Sequence, residues 1–132
     1  MVYEHDILVP ANTPDSAPVK LDISLTRGVI HKYEVFFPPG CANLVKVSLN
    51  QAIHQVWPSN PDGKHKADGT TLSFREHFPI DTEPYLITVT ASSPGSNYAH
   101  TITVRLALLS RRVLTPWLLS WAEKLGLYSG GE

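Results

Sequence analysis

Short runs in which apolar and polar residues alternate one for one recur along most of this chain, and nearly every run stops at a corner rich in proline or glycine. Val19, Leu21, Ile23 and Leu25 alternate with Lys20, Asp22, Ser24 and Thr26. Successive side chains of a strand point to opposite faces, so this pattern predicts a strand buried on one face. The run from Val29 to Phe37 puts Val29, Tyr33, Val35 and Phe37 on one face, with Lys32 and Glu34 on the other. With Arg27-Gly28 read as a tight turn, the two runs predict a hairpin. Pro38, Pro39 and Gly40 end it, because proline donates nothing to a ladder and glycine permits a reversal.

Leu44 to Leu49 turns Val45, Val47 and Leu49 inward, and Ala52 to Trp57 reads as its continuation across a bulge near Asn50 and Gln51. Pro58 to Thr70 is a loop by composition, with two Asp-Gly steps and no apolar residue larger than alanine. Leu72 to Phe78 and Tyr85 to Ala91 are strands on either side of the Pro79 to Pro84 corner. After the Ser92 to Asn97 turn comes the longest strand, Tyr98 to Leu109, with Ile102, Val104, Leu106 and Leu108 inward. Val2 to Val9 reads as an edge strand, joined to the rest by a proline-rich link. About seven or eight short strands at such spacing predict an all-β, two-layer antiparallel sandwich, jelly-roll or immunoglobulin-like. Residues 1–110 form that domain, and residues 111–132 a C-terminal helical arm.

The arm switches period. Thr115 suits an N-cap, and Pro116 sits at the first helical position, where its missing N–H costs nothing. Leu114, Trp117, Leu118, Trp121 and Leu125 then form an apolar stripe that ends at Gly126. A helix this short does not persist alone in water, and each indole buries roughly 150–250 Å². The stripe therefore has to dock, on its own domain or on a partner. Ser110-Arg111-Arg112 would be the hinge.

Charged residues are only 17% of the chain, so polar Ser, Thr and Asn or burial against other subunits must keep the surface compatible with its surroundings, a balance that leans toward an assembly component. The net charge of −1 leaves no basic footprint for nucleic acid or an anionic membrane. The opening MVYEHDILVPANTP has neither the basic nor the apolar part of a secretory signal, and no apolar run is long enough for a bilayer. Cys41 is single and reads as a structural corner residue.

Chemistry is sparse. His5, His31, His54, His65, His77 and His100 each stand alone in a different segment, without metal-ligand spacing. His31 and His100 fall in register with inward residues. Asn60-Pro61-Asp62-Gly63 begins like a calcium loop, but Lys64 and Lys66 follow and no glutamate closes it. Asp68 and Asp81 add nothing to that pattern, and Glu34, Glu76, Asp81 and Glu83 show no shared spacing. Nucleophile elbows and phosphate loops are absent. No cofactor or catalytic residue is expected. One candidate ligand loop remains: Trp57 with Lys64, His65 and Lys66. Against it, Trp57 continues the alternation of Ile53 and Gln55, which favours the core.

LTRGVIHKYEVFFPPGCANLVKVSL (25–49) and HQVWPSNPDG (54–63) are similar to small proteins of environmental and phage-type genomes. The whole pattern of size, strands and terminal arm resembles auxiliary virion proteins of tailed phages, such as capsid decoration and head or tail accessory proteins. That resemblance implies a non-catalytic module made in the host cytoplasm and built into a virion as a homo-oligomer or on a capsid. Its arm and sheet edges would make the contacts. The alternative is a carbohydrate- or ligand-binding sandwich, cytoplasmic rather than virion-borne. No site residue carries over from the resemblance.

Overall fold

The computed structural model describes residues 1–110. Eight strands follow one another: β1 (Val2–Val9), β2 (Val19–Ser24), β3 (Gly28–Phe37), β4 (Lys46–Gln51), β5 (His54–Trp57), β6 (Thr70–Ile80), β7 (Leu86–Ser92) and β8 (His100–Ser110). They form two antiparallel four-stranded sheets, ordered β1-β8-β3-β6 and β2-β7-β4-β5. The pairs β1·β8, β2·β7, β3·β6 and β4·β5 nest inside one another, like one long hairpin rolled into two layers. Pairing of β3 with β8 and of β4 with β7 closes each sheet.

The inner faces share one core. Val45, Val47 and Leu49 are fully buried, as are Ile102, Val104, Leu106 and Leu108, which is where their alternation puts them. Ile7, Val9, Ile23, Val35, Phe37, Ile87 and Val89 complete it from both layers. The outer face of the first sheet is polar instead. Arg105 joins Glu4 at 3.2 Å and Glu34 at 3.8 Å, and the Thr103 hydroxyl donates to Asp6 at 2.7 Å. Such exposed pairs contribute little stability but keep that face wetted.

Three expectations are corrected. The runs before and after Arg27-Gly28 are not a hairpin, since β2 pairs with β7 and β3 with β6 and β8. Residues 25–27 cross between layers; at about 3.3 Å each they cover the roughly 10 Å between packed sheets. Leu25 stays with the second sheet, its N–H bonding Tyr85 O at 2.7 Å. The segment 44–57 is not one bulged strand but the β4–β5 hairpin, turning at Ala52 with φ of 53° and leaving Ile53 91% exposed. A register shift between Ile30 and Lys32 changes the phase of β3, so Ile30 rather than Val29 joins Tyr33 in the core and His31 stays half-buried. The Val2–Val9 strand does lie at a sheet edge. There is no helix among the described residues, and the predicted arm helix lies outside them.

Candidate functional site

The loop from Pro58 to Gly69 folds back on the second sheet instead of standing free. His65 and Val47 exchange both backbone hydrogen bonds at 2.8 Å, so His65 takes the place beside β4 that β5 has already left. Gln55 organises the approach. Its amide nitrogen donates to the carbonyls of Pro58, Asn60 and Gly63 at 2.9, 3.1 and 3.0 Å, and its carbonyl accepts from Lys64 at 2.7 Å. A Cβ at position 63 would stand 2.5 Å from the amide end of the exposed Asn60 side chain, which would have to swing aside.

This fold-back brings His65 to the aromatic rings around Trp57, the last residue of β5. Trp57 stacks on Tyr33 with ring centroids 4.3 Å apart and meets the edge of Phe78 at 5.5 Å. His65 lies against Phe74 at 5.1 Å, and Tyr33 Oη is 2.9 Å from its Nε2. Either the phenol donates to a bare Nε2 or an Nε2–H donates to the phenol oxygen, according to tautomer. Neither arrangement needs a charge. Burial, followed by the nearby Glu76, pushes the Tyr33 phenol well above its ordinary value, and burial pushes the His65 imidazole down. Two groups held neutral inside an aromatic wall close one side of the sandwich.

The four residues of the candidate ligand loop are thereby separated. Trp57 and His65 are buried, while Lys64 and Lys66 are exposed. Lys64 instead helps line a polar cleft of ≈ 340 Å³ on the outer face of the second sheet, with Asp15, Lys46, Ser48, Thr90 and Ser92. There the Ser92 hydroxyl donates to Asp15 at 2.6 Å and the Lys46 ammonium at 3.4 Å. The Ser92 bond, more than Lys46, holds the Asp15 carboxyl below its usual value. Sequence reasoning missed this cleft, because its polar residues come from segments far apart in the chain.

Cys41 is fully buried, and burial with Asp68 raises its thiol, the opposite of an activated nucleophile. His5, His54 and His77 are exposed on separate elements. His100 is half-buried beside Gly40, with Nε2 unpartnered among the described residues. Among those residues no three His, Cys, Asp or Glu side chains converge to hold a metal. Leu114, Trp117, Leu118, Trp121 and Leu125 lie outside the described residues.

A neutral buried His65 makes stability depend on pH. Its folded value lies below the ordinary 6.5, so the unfolded chain takes up the proton first. The contribution is complete above pH 6.5 and is lost as pH falls below it towards the depressed folded value. The urea midpoint should drop between pH 7.5 and 5, and His65→Gln should flatten that slope. An unchanged slope would place the responsible proton elsewhere.

No family model matches the chain, and no curated protein matches it. It is similar to a solved family two carbohydrate esterase from Cellvibrio japonicus, at 14% identity and a TM-score of 0.38 over 83% of this chain. The match spans 35% of the esterase chain. It is also similar to the protein of Bacillus endospore appendages, described as a novel family of disulfide-linked pili. That match has 12% identity and a TM-score of 0.29 over 82% of this chain and 89% of the other. Likenesses this distant assign no activity.

Proposed function

We propose that the chain is a non-catalytic assembly module that pairs through the free edge of β1, as a virion accessory subunit would. The carrying observation is the chemistry of that edge. Met1 and Leu108 exchange both main-chain bonds at 2.7 Å, and the β1·β8 register runs on without a bulge. Antiparallel ladders alternate, so the backbone groups of Val2, Glu4, Asp6 and Leu8 point away from β8, towards the open edge. β1 has no proline or lysine, and Val2 and Leu8 are 69% and 59% exposed. The opposite edge, β6, carries Arg75, Glu76, His77 and Pro79, the residues by which edges resist pairing.

The nested strand order supports the jelly roll as the form of the sandwich, a fold used in capsid shells and in lectins. The wetted outer face of the first sheet leaves edges and ends as the surfaces for contact. Two copies joined β1 to β1 about a two-fold axis would make one continuous sheet. The arm residues 111–132 lie outside the described residues, and the reading rests on the β1 edge alone.

Light scattering over a concentration series tests this. The unmodified chain should self-associate, and Glu4→Pro, which removes an edge-facing N–H and no ladder bond, should leave a folded monomer with unchanged β circular dichroism. A chain that is monomeric throughout would refute the reading. If that monomer retained a sugar on a glycan array through Lys64 and Thr90, the polar cleft would make it a ligand-binding sandwich.

A further inference from the structure

We propose that the cleft at the end of the sandwich where β8 finishes is the seat of this chain's own C-terminal segment, residues 111–125. The cleft is ≈ 400 Å³ and is lined by Ala52, Pro79, Pro84 and Leu86, with Asp81 and Glu83 among its polar residues. An enclosed cavity of about 150 Å³ already takes benzene, so one indole fits a space of this size. Ile53, in the turn between the lining residues Ala52 and His54, is 91% exposed. This end therefore presents apolar surface that the rest of the domain leaves uncovered.

The chain leaves the described domain at the same end. Gly28 is the register partner of both Ser110 and Ile80, one on each side. Two strand spacings separate those partners, about 10 Å. Twenty-two residues follow Ser110 in the sequence, and Trp117 is the seventh of them. Seven residues cover about 10 Å as helix and about 23 Å extended, so an indole reaches the cleft either way.

Charge agrees with distance. The first two residues after Ser110 are Arg111 and Arg112, and the cleft beside the exit carries Asp81 and Glu83. Seating the segment thus requires no more than opposite charges meeting at the rim and an indole of this segment meeting the apolar lining of the cleft. Bound in this way, the arm leaves the β1 edge free, so the inference stands apart from edge pairing.

Hydrogen exchange on the full chain tests it, because Asp81 and Glu83 are exposed and their reversal leaves the core untouched. Amides of residues 113–125 should exchange at least about tenfold faster in Asp81→Lys/Glu83→Lys, and equally so in Arg111→Glu/Arg112→Glu. Protection should return when all four changes are combined in one chain. Absence of protection in the unmodified chain, or protection indifferent to both reversals, would overturn the proposal. If mixing the two doubly reversed proteins restored protection together with dimers in light scattering, the occupant would be a neighbour's arm, and the same-chain assignment would fall.

Discussion

Trp57→Ala should lower the stability of the domain by about 3–5 kcal/mol, the cost of deleting a buried aromatic that its surroundings cannot replace. Trp57 is 3% exposed, stacked on Tyr33 and edge-on to Phe78. Neither neighbour can move into the void. Tyr33 is tied to His65 at 2.9 Å, and Phe78 sits in register opposite Ile30. Because whole domains are stable by only about 5–15 kcal/mol, the variant should be near the threshold of folding. Lys64→Ala and Lys66→Ala, by contrast, should stay within about 0.5 kcal/mol, being exposed. Urea titrations followed by circular dichroism compare the three directly. If Trp57→Ala lost under about 1 kcal/mol, the indole would be available at the surface and the sugar-platform role would return.

The strands were legible in the sequence because one face of each is buried, and burial on one face writes itself as alternation. Ile102 to Leu108 and Val45 to Leu49 needed nothing else. Pairing was not legible, because alternation says which face is inward and nothing about which neighbour lies alongside. Residues 25–27 illustrate this, since the same three residues serve to close a hairpin or to bridge two layers. The β4–β5 turn was hidden for another reason: Ala52 adopts a left-handed φ without the glycine or asparagine that usually signals one. Of the candidate site, Trp57 is buried as expected, but not by the phase it was read from, since Ile53 of the same alternation lies exposed in the β4–β5 turn. The inward turn of His65 was not legible, because it depends on Gln55 gathering three loop carbonyls. The polar cleft joins Asp15, Lys46 and Ser92 across 77 positions of chain, a distance no local pattern spans.

Gly28 separates what glycine does for space from what it does for backbone freedom, and its replacement should be the second large loss. The Arg27-Gly28 step reads as a turn, yet Gly28 opens a central strand and is buried between Ile80 and Ser110. A Cβ there would lie 2.4 Å from the Leu109 carbonyl oxygen and 3.2 Å from Leu108 Cγ. The first of these atoms is backbone, held by the β3·β8 ladder in which Leu109 faces Val29 and adjoining the Met1–Leu108 bonds, so it has no easy retreat. Gly28→Ala should therefore cost about 3 kcal/mol, at the upper end of overpacking losses. Gly95→Ala offers the contrast: its φ is +84°, and a Cβ would meet nothing within 4 Å. Backbone strain alone, about 1–2 kcal/mol, is expected there. The pair is read by urea midpoints, with exchange of the amides around Leu108 as a local probe that only Gly28→Ala should accelerate. Equal and small losses at both positions would mean that the end of β8 yields to the methyl group, and a yielding end could not serve as the fixed rim from which the C-terminal segment departs.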